Sequence, residues 1–167
     1  MTTRTDYTDT EWDTLLDLPR LAAFGAMAAE AGGPVTSTRE LFAAMHELGV
    51  SAKTASPDTP LIQEIATEIT QGGDDALSSR VAWQPGDEPL GPAMIEQAVE
   101  TATRAREILT ARATPAEAAA YTAWVLAIAR AGCAAAGSGF LGLVGERVTP
   151  SEARFVQELA TALGEPS

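Results

Sequence analysis

Four places along the chain carry the same local signal, a hydroxyl side chain followed three residues later by glutamate: Thr8/Glu11, Ser37/Glu40, Thr114/Glu117 and Thr149/Glu152. Such a pair caps a helix start from both sides. The hydroxyl accepts a bond from an otherwise orphaned backbone N–H, and the carboxylate reaches back to the amide of the capping residue. Pro115 and Pro150 follow two of these starts at the first helical position, where the missing N–H is not needed. A chain punctuated in this way is committed to helices.

The apolar residues agree. Trp12, Leu15 and Leu16 predict one short helix, and Pro19 is expected to open a second, with Leu21, Phe24, Met27 and Ala28 on one face and Gly32-Gly33-Pro34 ending it. Leu41, Phe42, Met45 and Leu48 follow at helical spacing up to Gly49, and Leu61, Ile62, Ile65 and Ile69 run up to Gly72-Gly73. From Pro92 to Arg112, Met94, Ile95, Ala98, Val99, Ala102, Ala105, Ile108 and Leu109 share a face. The opposite face is polar and includes the i,i+4 pair Glu100/Arg104. Tyr121, Trp124, Val125 and Ile128 mark the next helix, and Phe155, Val156, Leu159 and Leu163 the last, before Gly164. No segment alternates with a period of two. The expected fold is an all-α, single-domain bundle of about six to seven helices spanning 9–164, with 1–8 as a flexible N-terminus.

An internal near-repeat refines this expectation. Val35/Val148, Thr36/Thr149 and Phe42/Phe155 share an offset of 113 residues, while the caps Thr8/Glu11 and Thr114/Glu117 share one of 106. The chain then consists of two related helical hairpins, about 9–49 and 115–164, joined by 50–114. Gly25, Ala26 and Ala29 in one half, and Gly132, Cys133 and Ala136 in the other, would let the two small-residue helices approach closely.

The stretches Ala28-Ala29-Glu30-Ala31-Gly32-Gly33-Pro34-Val35 to Glu40, and Ala134-Ala135-Ala136-Gly137 with Gly145-Glu146-Arg147-Val148 to Glu152, resemble the tellurite-resistance TerB-like helical domains. That family's pattern has small residues, then Asp-Gly, then a helix opening with glutamate. Ala31 and Ala136 stand where its aspartates would be, so no metal or acidic-site role carries over through those positions. The resemblance implies an all-α fold of paired hairpins and a bacterial stress-associated or accessory context.

Charge narrows the partners. With 23 acidic and 11 basic residues the net charge is −12, and the basic residues are scattered. Nucleic acid and anionic membrane surfaces are disfavoured; a protein partner with basic character, or a small neutral or cationic ligand, is expected. The opening residues lack the apolar run of a secretory signal, and Cys133 is the single cysteine, so a cytoplasmic location is expected. The stretch 118–136 is long and apolar, yet alanine dominates it and Arg130 interrupts it, which predicts a buried central helix rather than a membrane span.

Familiar catalytic motifs are absent or misplaced. Gly137-Ser138-Gly139-Phe140-Leu141-Gly142 fits the dinucleotide fingerprint in letters, but a helix rather than a strand precedes it. His46 is the only histidine, and with one cysteine it leaves no Cys/His zinc module. Cys133 reads as a small buried hydrophobe. Asp74-Asp75 and Asp87-Glu88 lack the spacing of a calcium loop. No catalytic residue, metal or cofactor is therefore expected.

Three binding surfaces remain: a groove between the two hairpins, an apolar loop and an internal pocket. The apolar loop Phe140, Leu141, Leu143 and Val144 would serve as a docking patch for a partner or for a second copy of the chain in a homodimer. A pocket inside the bundle would instead be lined by Trp83, Tyr121, Trp124, Arg130 and His46. The expected activity is that of a non-enzymatic, stress-associated accessory protein that binds a partner or ligand. The alternative is a small-molecule-binding protein or enzyme whose pocket leaves no motif.

Overall fold

The computed structural model describes residues 1–29, 59–71, 92–136 and 149–165. Among them the chain is helical, without strands: a short 3-10 turn (Arg4–Asp6), then α1 (Asp9–Ala29), α2 (Pro60–Gln71), α3 (Pro92–Arg112), α4 (Pro115–Ala136) and α5 (Pro150–Leu163). The helix expected over 41–48 and the start at Ser37/Glu40 lie outside the described residues. None of the described helices is long and apolar enough to cross a membrane.

Three of the capping pairs form as the spacing predicts. Thr8, Thr114 and Thr149 each donate a backbone N–H to the glutamate three residues on, at 2.8, 3.0 and 2.6 Å, and each hydroxyl accepts that glutamate's own N–H. α5 stops at Gly164, whose φ of 92° is left-handed backbone that glycine adopts without a Cβ penalty.

Helix directions follow from pairs at known positions. Leu15 meets Tyr121 near the start of α1 and α4, and Ala26 meets Gly132 further along both. The two contacts lie eleven residues apart on each helix, about 16 Å of rise, so α1 and α4 run parallel. Arg112 at the end of α3 pairs with Glu11 at the start of α1, and Phe155 early in α5 packs on Gly25 late in α1. Both α3 and α5 therefore run against α1.

Small residues make these crossings possible. A methyl group on Gly132 would stand 2.8 Å from the Ala26 Cβ and 3.3 Å from the Ala23 carbonyl oxygen, closer than carbon atoms pack. The expected close approach of the two small-residue helices is realised at this point. At Gly25 the gap is filled by the buried Phe155 ring, with Cε2 2.7 Å from where a Cβ would sit.

The structure corrects two expectations. Pro19 does not separate two helices: it lies inside the continuous 21-residue α1. A proline there removes the N–H that would bond the Leu15 carbonyl, and the buried Tyr121 hydroxyl donates to that freed oxygen instead, at 2.7 Å. The long apolar helix is not the central one either. α1 is buried on all sides from Leu15 to Ala26 apart from the half-buried Asp17, whereas α4 exposes Ala119, Ala123, Ala127 and Arg130 along one stripe. The Thr2 and Arg4 amides and the Tyr7 ring of the N-terminal segment meet α4, α2 and α1 through the contacts described next.

Candidate functional site

The N-terminal segment is folded on itself before it meets anything else. Thr3 donates its backbone N–H to Asp6 Oδ2 at 2.8 Å, which closes the 3-10 turn, and the Tyr7 hydroxyl lies 2.9 Å from Thr2 Oγ1. Three helices then hold it. The Thr2 amide donates to Glu117 Oε1 of α4, the Arg4 amide donates to Glu64 Oε2 of α2 at 2.7 Å, and the Tyr7 ring packs on Trp12 of α1 with centroids 5.8 Å apart.

Glu117 is the anchor. Only 4% exposed, it accepts from Thr2 and from both the amide and the hydroxyl of Thr114. Burial pushes its carboxyl upward, but these hydrogen bonds to the ionised form prevail and hold it below the ordinary carboxylate value. Tyr7 shifts the other way. Burial raises it against the bond to Thr2, and the nearby Glu117, Asp6 and Glu11 charges add to the rise.

This segment forms one wall of an open groove of about 530 Å³, with Arg4 and Trp12 on one side and Gln63, Glu64, Thr67, Glu68 and Gln71 of α2 on the other. α2 builds its wall by simple periodicity. Leu61, Ile62, Ile65 and Ile69 turn into the core, which leaves Gln63, Thr67, Glu68 and Gln71 outward. Trp12 is 2% exposed and donates its indole N–H to Glu68 Oε2 at 2.8 Å.

The Arg4 guanidinium lies over this indole, 5.5 Å from the ring centroid, donates to the Tyr7 carbonyl at 3.0 Å and pairs with Asp9. The ion pair is the weakest of these holds: the Asp9 side chain is 92% exposed, so the pair contributes about 0.2–1 kcal/mol. The groove thus combines an aromatic floor, carboxylates and a cation that is already seated but lightly held.

A second groove of similar volume runs between α3 and α5, with Val99 and Thr103 facing Arg154, Gln157 and Glu158. Among the described residues it has one cation, one anion and no aromatic floor, so these offer less discrimination between ligands.

The residues expected to line an internal pocket do not all converge. Tyr121 and Trp124 are buried together, edge to face with centroids 5.9 Å apart, and burial, reinforced by the Asp17 charge, raises Tyr121 well above its ordinary value. Arg130 is exposed, unlike that buried pair. Trp83, His46, Phe140, Leu141, Leu143 and Val144 lie outside the described residues, as do Asp74-Asp75 and Asp87-Glu88. Cys133 is buried as expected; burial, with the Glu152 charge added, pushes its thiol up to about 11. Among the described residues no cluster of three or more His, Cys, Asp or Glu is placed to hold a metal ion.

Sequence reasoning missed the groove because it followed apolar residues only. The signal was present on the other face of α2, where Gln63, Glu64, Thr67, Glu68 and Gln71 recur at helical spacing. It also missed Arg20, which is buried beside Asp17 at 3.5 Å, and the depth of the capping glutamates: Glu152 is 1% exposed, and its Oε1, like the Trp124 indole N–H, has no hydrogen-bonding partner among the described residues. Compared with protein-family models, with curated proteins and with solved structures, the chain matches none.

Proposed function

We propose that this chain is a non-enzymatic accessory protein that works by binding a protein partner through basic side chains, with the α1–α2 groove as the contact surface. The observation that carries this reading is the groove itself. Its indole floor and the Glu64 and Glu68 carboxylates form the surroundings that a guanidinium or ammonium group selects, on a chain whose net charge of −12 draws cations from a distance. The finer architecture belongs to the same proposal: two related hairpins, six to seven helices in all, in the manner of the TerB-like domains, with the stress-associated context that resemblance implies and a cytoplasmic location. The parallel α1/α4 crossing supports the repeat, since Leu15/Tyr121 and Ala26/Gly132 are each separated by the same 106 residues as the caps Thr8 and Thr114. The apolar loop Phe140–Val144 remains a second docking surface in this reading, for the partner or for a second copy of the chain, and Phe140→Asp tests it through loss of complex formation with an intact fold.

The binding test is calorimetric titration with short synthetic peptides of alternating arginine and glycine, and of alternating glutamate and glycine, at low and high salt. Binding of the basic peptide alone, weakened by salt and by Thr67→Lys with Gln71→Lys on the groove rim, is the expected result. Equal indifference to both peptides would overturn the proposal. One observation favours a second reading, a small polar ligand within the bundle: the buried Trp124 N–H and Glu152 Oε1 are both unpartnered, and such groups are ordinarily satisfied. A retained small molecule seen by native mass spectrometry would establish that reading instead.

A further inference from the structure

We propose that Arg4 is a displaceable resident of the groove, a cation of the chain's own that occupies the position a partner's arginine takes. This rests on the reading of the groove as a site for basic side chains. The geometry is that of an occupied site rather than of a wall. The guanidinium stacks 5.5 Å over Trp12, donates to the Tyr7 carbonyl and faces Asp9, so an aromatic face, a carbonyl and a carboxylate all converge on one cation. That is the acceptor set by which guanidinium groups are recognised.

The side chain can leave without unfolding what carries it. The segment is tied down through backbone and other side chains: the Arg4 amide on Glu64, the Thr2 amide on Glu117, the Thr3–Asp6 turn, and Tyr7 packed on Trp12. None of these needs the guanidinium. Its own ion pair, with the exposed Asp9, is of the kind that solvent screens. The occupant is therefore held by contacts that a second guanidinium reproduces in full, while the backbone keeps the site in shape. A partner arginine must displace Arg4, so the apparent affinity is reduced by the fraction of molecules in which the position is vacant.

The test compares wild type, Arg4→Ala and Arg104→Ala for calorimetric binding of the arginine–glycine peptide. Arg104 is an exposed cation on α3, paired with Glu100, and its removal changes net charge by the same amount. Arg4→Ala is expected to bind about tenfold more tightly than wild type, with Arg104→Ala within about twofold of it. Should Arg4→Ala lose helicity by circular dichroism, Arg4→Gln, which keeps the stem over the indole, takes its place. If Arg4→Ala binds no more tightly than Arg104→Ala, displacement is wrong while the groove remains a cation-binding surface. If neither variant nor wild type binds, the groove reading fails, and the role of Arg4 fails with it.

Discussion

α1 and α4 start with the same capping pair, run parallel, and meet at equivalent positions, yet they occupy opposite kinds of environment. α4 is the more apolar by sequence, but it turns an alanine stripe and Arg130 to solvent. α1 carries Asp13, Asp17 and Arg20 and contains a proline, but it is the helix the others surround. What separates them is the size of the side chains, not their mean polarity. α1 offers Trp12, Leu15, Leu16, Leu18, Leu21 and Phe24 around much of its circumference, so each neighbour finds something to bury. On α4 the large groups Tyr121, Trp124, Val125, Leu126 and Ile128 turn inward and alanine fills the rest. An exposed alanine forfeits little, because so little apolar area is at stake.

The sharpest way to break this comparison is to remove the group that seals α1 on its α5 side. Phe155→Ala deletes a ring packed on Gly25 and opens a cavity against α1, with an expected loss of about 3–5 kcal/mol in chemical denaturation. A loss below 1 kcal/mol would mean that α1 is not enclosed there.

A smaller effect isolates the proline. Tyr121→Phe leaves the Leu15 carbonyl buried without a donor, at a cost of about 1–3 kcal/mol. Pro19→Ala restores an N–H that can serve the same oxygen. In that background Tyr121→Phe is expected to cost at least about 0.5 kcal/mol less than in wild type, the coupling that a shared acceptor produces. Strict additivity across the four proteins would show that the tyrosine and the proline act independently.

The capping carboxylates at the starts of the two helices differ in how deeply they are enclosed. Glu117 is buried and serves two segments, whereas Glu11, at the equivalent position of α1, is only half-buried; its bonds to Thr8 and then to Arg112 hold its carboxyl low. Both carboxyls lie below the ordinary value of 4.5 in the folded chain. Their stabilisation is therefore fully present above that value and is lost as pH falls through the folded values. Glu117→Gln is expected to flatten the decline in melting temperature below pH 4.5, and Glu11→Gln to flatten it less. An identical acid profile for wild type and Glu117→Gln would remove Glu117 as the anchor of the N-terminal segment.

Sequence periodicity found the helices because capping and apolar spacing are local properties, and Thr8/Glu11, Thr114/Glu117 and Thr149/Glu152 carry them within four residues. It misjudged Pro19, because the donor that replaces the missing N–H arrives from Tyr121, 106 positions away. It misplaced the centre of the bundle for a related reason: apolar content ranks a helix by composition, while enclosure depends on which neighbours reach it. The groove was hidden differently. The polar face of α2 was legible, but nothing local announces that residues 2–7 fold back to place Arg4 over Trp12 of α1, opposite it.

The mildest test concerns the alanines themselves. Ala123 and Ala127 on α4 are exposed, while Ala22 and Ala23 on α1 are fully buried; the same residue type thus samples both environments on two parallel helices. Ala123→Lys and Ala127→Lys replace one good helix former by another on an open face, so each is expected to shift stability by no more than about 0.5 kcal/mol. Lysine at Ala23 has no such latitude, since Ala23 is fully buried at a crossing where even a methyl on Gly132 would stand 3.3 Å from the Ala23 carbonyl oxygen, and a long cation there would have to unpack the crossing. If lysines on the α4 stripe proved as costly as one at Ala23, that stripe would be covered in the working protein. The most direct explanation would then be a second copy or a partner seated on α4, and the stability loss would depend on protein concentration in the first case alone.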